Sequence, residues 1–188
     1  MIRRPPRSTL SSSSAASDVY KRQMYSQYRS VRGTSCLVMN DGTTTTQSAS
    51  SFVNPLTALG FIETMKLENH SALINTAAAS ALGQMLVKIC RADSIPLINI
   101  VRKSEHVDLL KTLGAKHICN SNDSEFMNKL VDALLETGAT LGFDATGGGN
   151  EGRLAGQMLS AMEIAANKTH AKKVELNLVS KNKDSSNI

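Results

Sequence analysis

The sequence predicts an α/β protein whose parallel sheet is covered by helices on both faces, and three observations predict it. Between residues 56 and 168, short apolar runs alternate with segments of helical apolar spacing. Each strand–helix unit takes roughly 20 to 30 residues, the length of a right-handed crossover between parallel strands. The apolar runs lack clean alternation, which suits strands buried on both sides.

The elements follow in order. A helix is expected from Ala58, with Thr57 as its cap or, with Asn54, part of a hinge. Ala72-Leu73-Ile74-Asn75-Thr76 is the first strand, and Met85, Leu86 and Ile89 mark the helix after it. Pro96 opens a second strand, Leu97 to Val101. Val107, Leu109, Leu110 and Leu113 then recur at helical spacing, and Gly114 supplies the stop. Lys116 to Cys119 is a third, shorter strand. Phe126, Met127, Leu130, Leu134 and Leu135 make an amphipathic helix ended by Gly138. Thr140 to Asp144 is the fourth strand, followed by Gly147-Gly148-Gly149, and Leu154, Met158, Leu159 and Met162 mark one more helix.

Composition limits what this chain can be. At 188 residues, 41% hydrophobic and 20% charged, it reads as an ordinary globular protein of about one domain. No run of about eighteen apolar residues is present to span a membrane. The three cysteines, Cys36, Cys90 and Cys119, form no CxxC pair and no even disulfide set, which points to a reducing, cytoplasmic setting. The net charge of +5 belongs to the ends. Residues 1–23 carry five basic residues against one acidic, and residues 169–188 four against two, so residues 24–168 are left one charge negative. A near-neutral centre, in a chain with seven aromatic residues of which none is set in a basic patch, excludes a nucleic-acid partner.

Both ends differ from the centre. Residues 1–23 are serine-rich, arginine-rich and without apolar periodicity. That composition is shared by an organelle transit peptide, while the whole string resembles a translated sequencing-adapter read-through; either way it stands outside the fold. Residues 24–55 hold Tyr28, Val31, Cys36-Leu37-Val38 and the turn Asn40-Asp41-Gly42, read as the last strands of an all-β unit and a Thr/Ser-rich connector. Residues 169–188 are expected to be a disordered or aberrant tail, with Val174, Leu176 and Leu178 as an alternative short strand.

In a sheet of this kind ligands bind at the carboxyl ends of the strands. After the first strand comes Asn75-Thr76-Ala77-Ala78-Ala79-Ser80-Ala81-Leu82-Gly83. A dinucleotide-binding turn uses glycines so that amides reach a pyrophosphate and the helix packs closely. Here Gly83 holds the helix-packing position, and alanine or serine fills the earlier ones. The competing reading is a small-residue turn that only packs a helix on a sheet. An acidic residue at the end of the second strand would favour NAD; this chain has Arg102-Lys103-Ser104, which suits the 2′-phosphate of NADP. The plainer reading is a solvated pair opening the next helix. Ser80 lacks a G-x-S-x-G elbow, which argues against a hydrolase.

These residues resemble the medium-chain dehydrogenase/reductase superfamily, in particular its zinc-free quinone-oxidoreductase and enoyl-thioester-reductase branches. The resemblance is carried by Phe52 to Ala58, Asn75 to Gly83, Ile100 to Lys103, Leu113-Gly114-Ala115 and Phe143-Asp144-Ala145-Thr146-Gly147-Gly148, and covers residues 24–168. It implies a Rossmann-type domain over 56–168, preceded over 24–55 by the closing strands of a GroES-like catalytic domain. It implies NADP(H) as cofactor, with NAD(H) the lesser fit. Ala79, Ser80, Ala81, Leu82 and Gly83 would take the pyrophosphate, Arg102 and Lys103 the 2′-phosphate, and Gly147, Gly148 and Gly149 would lie on the nicotinamide side. Val53-Asn54-Pro55 stands where zinc-dependent members place a cysteine ligand. His70, His106, His117 and His170 are scattered, so no zinc is expected. The implied activity is hydride transfer from NADPH to a small conjugated acceptor, a quinone or an enoyl thioester. The alternative is a non-catalytic nucleotide-binding relative. Most of the catalytic domain is expected to lie outside this chain, leaving the catalytic residues unassigned and the chain itself inactive. Exposed edges on a truncated sheet would favour association or aggregation, and a homo-oligomer is an option for the full-length enzyme.

Overall fold

The computed structural model describes Ser30, residues 32–146 and residues 152–184, with side chains described as far as Lys172 apart from Ser35. The chain divides into two units, residues 1–43 and 44–188.

In the first unit the described residues form one turn of 3-10 helix, Gly33–Ser35, and a turn at Asn40-Asp41-Gly42 in which Thr43 donates to the Asn40 carbonyl from both its amide and its hydroxyl. No strand occurs among the described residues before Leu73. The expectation of closing β-strands over 24–50 is therefore not met where the residues are described. A strand needs a partner for its amides and carbonyls, and Cys36 to Val38 pair with no described segment.

The second unit opens with helices α1 (Thr45–Ala49) and α2 (Val53–Leu67). A capping box opens α1: the Thr44 hydroxyl accepts from the Gln47 amide and the Gln47 side chain accepts from the Thr44 amide. Helix α2 starts at Val53, five residues earlier than expected, because Pro55 lies in the first turn, where its missing N–H costs nothing. Thr57 is therefore inside the helix, its hydroxyl donating to the Val53 carbonyl at 2.8 Å, and is not a cap.

Strand and helix then alternate: β1 (Leu73–Asn75), α3 (Ala81–Ala92), β2 (Leu97–Val101), α4 (Ser104–Thr112), β3 (His117–Asn120), α5 (Phe126–Thr137), β4 (Leu141–Phe143) and α6 (Arg153–Asp184). All pairings are parallel and the sheet order is β3-β2-β1-β4. This is the doubly wound α/β arrangement that the alternation predicts. Gly114 and Gly138 end α4 and α5 at φ values of 84° and 67°, where a side chain would be strained.

Each face of the sheet carries one core. Ile74, Ile98 and Ile100 pack against Leu130 and Leu134 of α5 and Met158 of α6. Leu73, Leu97 and Val101 pack against Ile62 of α2 and Leu86 of α3 on the other side. Consecutive residues of β2 thus face opposite cores, which is why all five are buried and the strand shows no polar–apolar alternation. Helix α6 runs on to Asp184, where a tail or short strand was expected; after Gly156 it meets neither proline nor glycine to stop it.

Candidate functional site

A cavity of about 450 Å³ opens where β1 and β2 end and α3 and α4 begin. Its floor is Ala77, Ala79 and Ser80 of the β1–α3 turn. One wall is Arg102, Lys103 and His106 with Ser121 and Asn122; the other is Thr146 with Arg153 and Gln157 of α6. Among the described residues no aspartate or glutamate lines it.

The floor is set by two backbone features. Ser80 is the N-cap of α3, its hydroxyl accepting from the Gly83 amide at 3.2 Å. That leaves the positive end of a twelve-residue helix facing the cavity, a favourable place for an anion. Gly83 is buried against the turn: a Cβ there would stand 2.3 Å from the Ala78 carbonyl oxygen. Only glycine lets α3 approach this closely. Ala77 has φ of 47°, the left-handed region in which a glycine is favoured.

The cationic wall is held from behind. Asn122 donates from its carboxamide to the Arg102 carbonyl at 2.9 Å, tying the β3 exit to the β2 exit. Lys103 Nζ lies 3.1 Å from Glu105 Oε1, and His106 Nε2 lies 3.7 Å from the same oxygen. Arg102 forms no ion pair among the described residues. With Lys103 more than half exposed, its contact with Glu105 is weak and can exchange for a stronger anion.

Beyond the turn, a small network joins the ends of β1 and β4. The fully buried Thr76 donates to Asp144 Oδ1 at 2.8 Å and accepts from the Ala145 amide at 2.8 Å. Thr146 donates to the same carboxylate oxygen from its amide (2.9 Å) and its hydroxyl (2.5 Å). Partial burial would raise the Asp144 pKa, but the hydrogen bonds from Thr146 and Thr76 outweigh it and hold the carboxyl below its usual range.

The structure thus brings Ala79, Ser80, Arg102 and Lys103 to one cavity. Ala81 and Leu82 form the first turn of α3, while Gly83 packs behind it without lining the cavity. Asn54 and Thr57 lie in α2 and do not line it. Gly147, Gly148 and Gly149 lie outside the described residues. Ser121, Asn122, Arg153 and Gln157 are not among the residues expected from the sequence, which gives His106 no role at the site. The position of Ser121 and Asn122 straight after a strand was a usable signal; nothing marked Arg153 or Gln157, which arrive from a helix packed over the sheet. His70 contacts Thr140 Oγ1 (2.7 Å) and Glu68 (3.2 Å), and His117 lies 3.7 Å from Glu136. Among the described residues no three His, Cys, Asp or Glu side chains cluster as metal ligands would, and no helix is long and apolar enough to cross a membrane.

No protein-family model matches the chain. Over 108 residues, 54% of its length, it is 32% identical to a mitochondrial enoyl-[acyl-carrier-protein] reductase of Arabidopsis thaliana, covering 28% of that protein. A crystal structure described as an NADPH:quinone reductase from Mesorhizobium loti aligns with 69% of the chain at 27% identity and a TM-score of 0.60, covering 36% of that protein. The CurK enoyl reductase shares the fold over 66% of the chain, at 20% identity and a TM-score of 0.50. The chain therefore spans about a third of the length of these proteins. Its homologues and structural neighbours are quinone oxidoreductases and enoyl reductases of the medium-chain dehydrogenase/reductase superfamily, and its resemblance is to NAD(P)-dependent oxidoreductases.

Proposed function

We propose that this chain is the nucleotide-binding part of an NADPH-dependent, zinc-independent oxidoreductase that reduces a small conjugated acceptor, a quinone or an enoyl thioester. The observation that carries the reading is the cavity itself: a helix N-terminus on its floor, Arg102 and Lys103 on its wall, and no carboxylate facing in among the described residues. An NAD-selective site would set an acid near the second strand end to hold the ribose hydroxyls. Here a dianionic 2′-phosphate meets cations instead, with hydrogen-bond donors from Arg102 and Lys103.

In this reading the floor from Ala79 to Leu82 takes the pyrophosphate, with Gly83 admitting the helix behind it. Arg102 and Lys103 take the 2′-phosphate, and His106, Ser121 and Asn122 border the adenosine. Gly147, Gly148 and Gly149, outside the described residues, are proposed for the nicotinamide side on the resemblance alone. Bound NADPH supplies the hydride, and the chain's own task is to bind and orient the cofactor. The acceptor pocket and any proton donor are assigned to no residue of this chain. Residues 24–55 and 56–168 are proposed as the end of a catalytic domain and the cofactor domain. The free cysteines accord with a reducing compartment, proposed as the cytoplasm, although the Arabidopsis relative is mitochondrial.

Fluorescence titration with NADPH and NADH tests the reading. NADPH should bind about tenfold or more tightly than NADH, because each charge-assisted hydrogen bond to the phosphate contributes about 1.5–3 kcal/mol. Arg102→Ala should erase most of that difference. Equal affinities for the two, unmoved by Arg102→Ala, would remove the phosphate assignment. A second reading, a non-catalytic nucleotide binder, is favoured by the alanines and serine that stand in the turn where fingerprint glycines are expected, and by the lack of an assigned acid or base. Cofactor binding without turnover of any quinone or enoyl thioester by the complete gene product would decide for it.

A further inference from the structure

Thr76 and Asp144 sit at the cofactor cavity without lining it, and the reading above gives them no task. Thr76 is fully buried at the end of β1, and both its amide and its hydroxyl bond to the β4 end. Its amide donates to the Phe143 carbonyl (3.0 Å), its hydroxyl donates to Asp144 (2.8 Å) and accepts from Ala145 (2.8 Å). One residue therefore fixes three consecutive positions of the β4 exit. Asp144 passes the constraint on, accepting from both the amide and the hydroxyl of Thr146. Thr146 is the first residue of that exit to reach the cavity wall.

The strand order says what this wall is for. In the order β3-β2-β1-β4, Arg102 follows β2, the Ala77–Ser80 turn follows β1 and Thr146 follows β4. A dinucleotide with its 2′-phosphate beside Arg102 and its pyrophosphate over the turn must send its remaining half toward β4. We infer that Thr76 and Asp144 are positioning residues for that half, a buried latch that holds the β4 exit where the nicotinamide end of the cofactor meets it. The inference rests on the cofactor reading above. Neither side chain has to touch the cofactor. A loop leaving a strand only three residues long is otherwise free to adopt many conformations, and fixing it beforehand removes an ordering cost from binding.

The latch makes the two halves of the cofactor separable. Thr76→Val keeps the shape of the side chain but leaves Asp144 short of a donor and Ala145 short of an acceptor. Thr76→Ser keeps both hydrogen bonds. Titrating the full chain and both variants with NADPH and with 2′,5′-ADP, which ends at the pyrophosphate side, reads the difference. Thr76→Val should weaken NADPH about tenfold, the equivalent of one lost net hydrogen bond, and change 2′,5′-ADP less than twofold. Thr76→Ser should bind both as the parent does. A parallel loss of both ligands in Thr76→Val, or no loss of NADPH, overturns the inference. Amide exchange at Ala145 and Thr146 without ligand gives an independent reading: faster in Thr76→Val and restored in Thr76→Ser. Should the parent chain bind neither ligand, the cofactor reading falls and exchange alone judges the latch. Unchanged exchange in Thr76→Val then overturns it.

Discussion

Gly83→Ala adds one methyl group where the structure leaves no room. An added Cβ would stand 2.3 Å from the Ala78 carbonyl oxygen and 2.6 Å from both the Ala78 carbonyl carbon and Cα. All three are backbone atoms, so no side-chain rotation relieves the overlap. Reaching ordinary contact requires α3 to withdraw from the turn by about an ångström at its first residues. Overpacking of this kind costs about 1–3 kcal/mol, and the severity of the contact places it at the upper end. Replacing glycine by alanine inside a helix returns about 1 kcal/mol. The net expectation is a loss of about 2 kcal/mol, lowering the melting temperature by about 4–8 °C. The displacement also moves the helix end that faces the cavity, so NADPH affinity should fall with stability. Differential scanning calorimetry, paired with the same fluorescence titration, measures both. A variant as stable as the parent, with undiminished NADPH affinity, would refute the claim that close approach of α3 requires glycine.

The remaining predictions concern neighbouring features. Ala77→Gly should move stability the other way, raising it by about 0.5–1 kcal/mol in chemical denaturation, because glycine accepts φ of 47° without strain. Asp144, held below its ordinary 3.8 by Thr146 and Thr76 against the opposing effect of burial, favours the folded state while ionised. Its contribution is present above the ordinary carboxylate range and is lost as pH falls through the depressed value, so Asp144→Asn should flatten the fall in stability below about pH 4. Burial pushes Cys90 up to about 12, helped by Asp93, and Cys119 up to about 11. In the native protein at pH 8, a thiol reagent should therefore label the exposed Cys36 and reach the other two only after unfolding, as mass spectrometry would show.

Much of the fold was legible because burial on both sides leaves a local mark. Leu97, Ile98, Ile100 and Val101 are apolar around the single Asn99 and divide between the two cores, so the strand and its bounds could be read directly. Helix α5 likewise begins at Phe126 and ends at Gly138 as its periodicity and terminal glycine indicate. The errors fell where local signals were silent. The start of α2 was placed late because Pro55 was not taken as a first-turn residue. The strands expected over 24–50 depended on a partner that no local pattern supplies.

For the dinucleotide turn, the sequence by itself determined the order of parts: a strand, a run of small residues, one glycine at the start of a helix, and two cations after the next strand. These are properties of consecutive residues, and backbone preference and side-chain size act over that range. Tertiary structure decided what those parts face. It placed Ser121 and Asn122 behind Arg102, brought Arg153 and Gln157 over the opening from α6, and put Thr76 within hydrogen-bond reach of a carboxylate 68 positions away. Such contacts depend on strand order, and β4 adds beside β1 rather than beside β3 because of packing across the whole sheet. No residue of the turn carries that choice.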